Sequence, residues 1–374
     1  MKLHIRRIIL LFMILLISFA CVLIFINKNI FYSRNLQYFF EDYIQKCRMN
    51  KNLEIETDEI IENDFINFNG DLAVASKSKF MVLSHDLKKL LEINHNFRLP
   101  IVKSSKFKSL LFDTDGSSYM VTTKSRILYK GEMDNKIITG KVSERDSLIL
   151  LTESDEYCCE IYVLSIDGEL KYKYCFAKMY CTDVAINDEG SKVAVCGLKS
   201  ENGIIKSVIQ IFNFKSEAPI FTKEFENNKF FLIEFFDDNN LMSIGDNITV
   251  SVRNLGEKIN SFDYSDRHPC LYDFDKNFGA IFSFSPNKDG RNQYIIIVDK
   301  DCKQISEIKT DKKFKSIALK NRKIFTLSES LVTVYSLFGK VKKQKKVPTS
   351  CRKILPAGHS KIYMLGNNTI KIVK

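Results

Sequence analysis

Ile161-Tyr162-Val163-Leu164-Ser165-Ile166-Asp167-Gly168-Glu169-Leu170 decides how this chain folds. An apolar run rich in β-branched and aromatic side chains leads into Asp-Gly, a strong hairpin signal, and a second strand follows. The outline recurs as Met81-Val82-Leu83-Ser84-His85-Asp86-Leu87-Lys88-Lys89-Leu90 and as Val250-Ser251-Val252-Arg253-Asn254-Leu255-Gly256-Glu257-Lys258-Ile259. It returns in Ile296-Ile297-Val298-Asp299-Lys300-Asp301-Cys302-Lys303-Gln304-Ile305 and in Val332-Thr333-Val334-Tyr335-Ser336-Leu337-Phe338-Gly339-Lys340-Val341. Looser copies start near Ile127 and Ile209, and Thr369-Ile370-Lys371-Ile372 opens an eighth hairpin at the end of the chain. The spacing averages about 41 residues, a period at which repeats mean propeller blades of four strands.

A second signature precedes each hairpin: an apolar strand, an acidic or glycine turn, and another apolar strand. Val184-Ala185-Ile186-Asn187-Asp188-Glu189-Gly190-Ser191-Lys192-Val193-Ala194-Val195 is its best copy, and Leu110 to Gly116 and Leu271 to Phe278 repeat it. Each unit is therefore a four-stranded meander whose two faces are buried by its neighbours around a ring. The last unit, Arg352 to Lys374, supplies only three strands, so Leu53 to Thr57 is expected to add the fourth and close the ring. Closure removes the edges that would otherwise pair with another chain. The chain is all-β over residues 52–374, a β-propeller of eight blades, with seven as the alternative count.

Before the repeats the pattern differs. Ile8 to Ile26 carries no charge, and about 19 residues at 1.5 Å each give roughly 28 Å, enough to cross a bilayer core as one helix. Lys2, Arg6 and Arg7 precede the run, so residues 1–7 are expected to stay in the cytoplasm, with 8–26 as a transmembrane anchor and the rest outside. Ser18-Phe19-Ala20 has small residues at signal-peptidase positions, but Val22 to Ile26 continues the apolar run where a mature N-terminus is normally polar. Cys21 as a lipoprotein cysteine fits poorly with Ser18 and Phe19 before it. The reading taken is an uncleaved anchor, and all three readings place residues 50 onward on the outer side. Apolar residues at 32, 36, 39, 40, 43 and 47 have helical spacing, so residues 27–51 are expected to form a short stalk helix and linker.

This layout resembles the quinoprotein-like class of β-propellers, and specifically an uncharacterised clostridial family of membrane-anchored propellers. The Lys-, Asn- and Ile-rich residue choice also looks like that of low-GC bacteria. The resemblance implies fold and topology and carries no agreed activity. The chain contains no tryptophan, which excludes the Trp-Asp dipeptide of WD repeats and the Trp docking motifs of quinone-binding blades. No cofactor is expected.

Other signals point away from chemistry. The five histidines are scattered, and neither HExxH nor a glycine-rich phosphate loop occurs. His85-Asp86 sits in a hairpin turn, and Asp113-Thr114-Asp115-Gly116 opens like a calcium loop but lacks the distal glutamate. Asp237-Asp238, Asp299 and Asp301 read as turns. The ten cysteines hold no CxxC and read mainly as small buried residues; Cys158-Cys159 is a vicinal pair, and Cys181 and Cys196 flank a tight turn. The net charge of +11 bears on partners rather than fold. Its densest cluster, Lys340, Lys342, Lys343, Lys345 and Lys346, reads first as a solvated hairpin tip and second as a basic patch. Nucleic acid is not indicated, since no helical basic stripe or RNA-binding aromatic motif accompanies the charge. The function expected is an extracellular binding or scaffolding module held in the membrane by a single-pass anchor, with a protein or anionic cell-surface polymer as partner. The alternative is an extracellular enzyme acting on glycans or peptides in the propeller channel; no catalytic motif supports it.

Overall fold

The computed structural model of the protein describes residues 12–19, 22, 28–32, 34–52, 54–265, 267–285, 293–357 and 361–373. Helix α1 (Asn35–Arg48) is followed by β1 (Glu54–Glu56) and then by eight successive units. Blade I is β2–β5 (Ile60–Phe68, Asp71–Ser76, Lys79–Leu83, Lys89–Asn94) and blade II is β6–β9 (Pro100–Ser104, Ser109–Asp113, Ser118–Thr122, Ile127–Glu132). Blade III is β10–β13 (Ile137–Val142, Ser147–Thr152, Cys159–Ser165, Leu170–Phe176) and blade IV is β14–β17 (Tyr180–Ile186, Lys192–Glu201, Ile204–Asn213, Phe221–Glu226). Blade V is β18–β21 (Phe230–Phe235, Leu241–Gly245, Ile248–Arg253, Lys258–Asp263) and blade VI is β22–β25 (Pro269–Asp275, Gly279–Phe284, Tyr294–Asp299, Gln304–Lys309). Blade VII is β26–β29 (Ser316–Lys320, Lys323–Ser328, Leu331–Ser336, Val341–Lys346). Blade VIII joins β30–β32 (Lys353–Pro356, Ile362–Leu365, Thr369–Val373) to β1, in the order β30-β31-β32-β1.

Among the described residues there are thus eight four-stranded antiparallel sheets. The first strands of neighbouring blades pack on one another at most junctions and line a central channel; strands are lettered A to D from there outward. Two hairpins fall differently from the sequence outline. Leu110 to Gly116 is a B–C turn rather than an A–B turn, and Ile127 begins a D strand rather than a C–D hairpin. The strands are of similar length and composition, so periodicity alone does not fix which strand of a blade one is reading.

The core is distributed around the ring. One apolar cluster fills each junction between neighbouring blades, and alternation along a strand feeds both sides. On β3, Leu72 and Val74 face blade VIII while Ala73 and Ala75 face blade II. This two-sided burial explains why B and C strands read as unbroken apolar runs. A fully buried side chain of this size stabilises by about 1.5–3 kcal/mol, against about 0–1 kcal/mol for the exposed ion pairs on the surface. Phenylalanine and tyrosine do the filling where tryptophan is absent: Phe80, Phe112, Phe212, Phe282 and Tyr363 are fully buried.

The repeating hairpin has a local cause. In four blades a Ser or Asp (Ser84, Ser165, Asp299, Ser336) starts the C–D turn, and its side-chain oxygen accepts backbone N–H groups further along the turn. Three residues on, the chain turns through positive φ, at Gly168 (φ 89°) and Gly339 (φ 80°) in two of them.

Residues 28–32 and 34–52 form an arm laid along the face that carries the A–B and C–D loops. Lys28 pairs with Glu189 (3.2 Å) and Asp238 (3.2 Å) on the A–B loops of blades IV and V. Asn35, fully buried, donates to the Glu144 carbonyl (2.8 Å), and the buried Lys108 Nζ donates to Asn35 Oδ1 (2.8 Å) and the Arg145 carbonyl (2.7 Å). Burial lowers the Lys108 ammonium to about 8. Tyr38 is buried beside Lys108 and Arg126, and Lys46 reaches Asp71 (3.0 Å) on blade I. The segment read from sequence as a stalk thus lies on the propeller.

Ser125 Oγ donates to Asp42 Oδ1 (2.6 Å), yet burial still pushes that carboxyl up to about 6. A carboxyl raised on folding binds protons more tightly in the folded state, so its contribution is present below about pH 4 and lost as pH rises through about 6. Hydrogen-exchange protection of α1 is expected to rise as pH falls from 7 to 5, and Asp42→Asn should abolish most of that change. Equal pH dependence in the variant would refute this account.

No helix among the described residues is long and apolar enough to cross a membrane. The anchor expected at 8–26 lies mostly outside the described residues; of that run, 12–19 and 22 are helical with exposed apolar side chains.

Candidate functional site

The basic residues singled out from sequence lie together on the outer edge of blade VII. Lys340 closes the C–D turn, where the Ser336 N–H donates to its carbonyl (2.9 Å). Lys342, Lys343, Lys345 and Lys346 lie on β29, every residue of which is exposed. Polar residues at every position after Val341 suit an outermost strand with one free edge. Beside it is a groove of about 230 Å³ between blades VII and VIII. Its walls include Phe325, Val332, Ile362 and Val373, and Lys323, Lys342, Lys343 and Lys345 ring it. The run is therefore more than a hairpin tip: it rims an apolar cleft.

The channel collects charges that the sequence reading missed. Lys103, Lys141 and Glu234 are each the penultimate residue of their A strand. Lys141, buried, pairs with Glu234, joining blade III to blade V across the inner strand of blade IV. Asp183 on that strand is buried and accepts the Ile233 N–H (3.0 Å). Burial pushes the Asp183 carboxyl up, partly offset by Lys141 and Lys103. Burial also acts to lower Lys141, but Glu234 and Asp183 outweigh it and hold the ammonium above its usual range. Lys103 is lowered, first by the neighbouring charge of Lys141 and then by burial. Asp273 on blade VI accepts the Leu319 N–H (2.7 Å), and burial pushes its carboxyl up to about 6. Lys103, Lys141, Asp183 and Glu234 are each the lone charge of an A strand, and Asp273 shares its strand only with Asp275, so no local motif marks them. Aligning the blades on their first strands is the signal that finds them.

The remaining candidates resolve into turns and packing. His85 lies 3.4 Å from Asp86 and 3.5 Å from Asp71, and Asp86 is held by Lys361. Asp113 accepts the N–H groups of Arg98, Leu99 and Asp115, while Asp115 pairs with Arg98 and Lys136. Asp299 caps its own turn, and Asp301 pairs with Arg253 (3.4 Å). Asp237 organises a turn with Asn240, but Asp238 goes further, tying Lys28 and Asn187 to blade V. The nine described cysteines are free thiols, five of them buried. Cys181 and Cys196 lie on paired strands but face different clusters, one toward blade III and one toward blade V, because alternate residues point to opposite sides. Among the described residues no group of three or more His, Cys, Asp or Glu could hold a metal ion.

A model described as a family of unknown function, DUF5711, matches residues 43–374. The chain belongs to that family. The matched span of DUF5711 begins inside α1 and takes in the closing strand and all eight blades. No curated protein matches the chain. Among solved structures, BamB from Moraxella catarrhalis is 10% identical with a TM-score of 0.54, covering 87% of this chain and 99% of its own. Sqt1 from Saccharomyces cerevisiae is 10% identical with a TM-score of 0.62, over 87% and 98%. The C-terminal WD40 domain of Sif2 is 12% identical with a TM-score of 0.61, over 87% and 97%. At such identities the likeness is one of fold. This DUF5711 chain has a propeller fold similar to that of a WD40 domain without a single tryptophan.

Proposed function

We propose that this DUF5711 protein is a binding module, anchored in the cell membrane by residues 8–26, whose propeller stands outside the cytoplasm and engages a protein or an anionic surface polymer. The observation that carries the reading is the lysine-rimmed groove beside β29. An apolar cleft ringed by Lys323, Lys342, Lys343 and Lys345 suits a partner that combines negative charge with apolar groups. A ring of blades also gives such a site a rigid frame. The uncharged run behind Lys2, Arg6 and Arg7 supports the anchor and its orientation, and the residue choice fits a low-GC, clostridial-type host.

The test is binding of the full chain in vesicles to polyglutamate and to a polyphosphate, with neutral dextran as control. The triple variant Lys342→Glu, Lys343→Glu, Lys345→Glu should lose at least about tenfold in affinity, since three charges are reversed in one cleft. Unchanged affinity in the variant would remove the groove from the function. Protease added to intact spheroplasts should degrade the propeller; protection would sink the outward topology.

A second reading, an enzyme acting on a glycan or peptide, draws on the channel. Asp183, Glu234 and Asp273 come from three blades, and an Asp273 carboxyl near 6 lies in the range useful for proton transfer around neutral pH. The first reading is preferred because Glu234 is already committed to Lys141 and Asp183 to a backbone amide.

A further inference from the structure

In a helix packed on a globular domain the apolar stripe normally faces the core and the polar stripe faces water. Helix α1 is turned the other way. Its docked side carries, around the single buried ring of Tyr38, the polar residues Asn35, Asp42, Gln45 and Lys46, each hydrogen-bonded to the propeller. Its outward side presents Phe39 (48% exposed), Phe40 (56%), Tyr43 (61%) and Ile44 (47%), and Phe31 of the same arm is 51% exposed. Four large apolar side chains on two turns of one helix form a contiguous patch, and a patch of that kind marks a contact.

The chain upstream says what covers it. The uncharged run ends at Ile26, and Lys28, two residues on, is held by Glu189 and Asp238 on the A–B loops. Two residues reach at most about 7 Å. If residues 8–26 cross the bilayer, the face bearing the A–B loops therefore stands within two residues and one lysine side chain of the membrane surface. The outward side of α1 lies on that same face. Aromatic rings beside Gln37 and Arg48 suit the headgroup region, where amphipathic side chains settle.

We infer that α1 is an interfacial helix, its Phe39, Phe40, Tyr43 and Ile44 inserted into the lipid headgroup region so that the propeller is seated flat on the membrane by its A–B face. The inference rests on the anchored reading and goes beyond it: a single-pass anchor alone leaves the ring free to swing, whereas this contact fixes which face is turned outward. The D–A and B–C loops and the opposite channel mouth then point away from the bilayer.

The absence of tryptophan makes the test clean, because each introduced tryptophan is the only one. Full chains bearing Phe19→Trp, Phe40→Trp or Tyr180→Trp, all at exposed positions, are reconstituted in vesicles whose lipids are brominated near the headgroup or near the acyl ends. Insertion by about 5–10 Å should cut Phe40→Trp emission roughly twofold with headgroup-proximal bromine. Tyr180→Trp, at the D–A end of blade IV, should be unaffected. Phe19→Trp should respond most to bromine near the acyl ends. Absence of quenching at Phe19→Trp overturns the anchor and this inference with it. Quenching at Phe19→Trp without quenching at Phe40→Trp overturns this inference alone. A blue-shifted Phe40→Trp that ignores brominated lipid and depends on protein density also overturns it, since a second copy then covers the helix.

Discussion

Deleting residues 54–56 is expected to lower the melting temperature of the protein by about 10 °C and to make it prone to aggregation. These residues are β1, the D strand of blade VIII, paired to β32 as Glu54↔Lys371, Ile55↔Ile370 and Glu56↔Thr369. Ile55 is buried with Tyr363, Leu365 and Ile370 at the junction of blades VIII and I. Losing that side chain and the strand's backbone hydrogen bonds costs roughly 5–8 kcal/mol, and in a propeller of this size each kcal/mol moves the midpoint by about 1.5 °C. The deletion also bares the outer edge of β32 to other chains. The effect should concentrate in one residue. Glu54 and Glu56 are exposed, and the Glu54–Lys371 pair is a surface contact of small worth. Ile55→Ala should therefore reproduce a large part of the loss, while Glu54→Ala and Glu56→Ala leave the melting curve nearly unchanged. A deletion that melts like the parent would mean the ring is not held shut at this point.

Lys141→Met is expected to destabilise the protein by about 3–5 kcal/mol, because it leaves two carboxylates in the channel without their main cation. Glu234 loses its ion-pair partner and Asp183 loses the charge that offsets its burial. That amounts to about 5–8 °C in a melting curve. The double variant Lys141→Met, Glu234→Leu should recover much of the loss, since removing both members of a buried pair is often close to neutral. A double-mutant cycle measures the difference directly. If the single and double variants melt alike, the charges are not acting as a structural pair. If the single variant melts like the parent, they are free for chemistry, and the enzyme reading gains ground.

The legibility of the chain varied with the range of the interactions. Hairpins such as Ile161 to Leu170 and Val184 to Val195 were readable because turn chemistry and strand alternation are local. The number of blades and the use of an N-terminal strand to close the ring followed from counting: eight units, the last one short of a strand. The identity of individual strands was less legible, as Leu110 to Gly116 and Ile127 show, because strands of similar length and apolar composition recur at every place in a blade.

The sequence by itself determined the all-β repeat architecture, its closure, the helix after the apolar run and the basic run on the last complete blade, because each is written in residues near one another in the chain. Only the tertiary structure decided that the basic run rims an apolar cleft, since Lys342 and Lys345 meet Ile362 and Val373 from the next blade. It alone gathered Lys103, Lys141, Asp183, Glu234 and Asp273 into one channel, for each is a single charge on a different blade. It alone turned the supposed stalk into a helix docked by its polar side. Helical periodicity shows that α1 has two faces; which of them is covered depends on the partners that Lys108, Ser125 and Asp71 supply from blades folded far away in sequence.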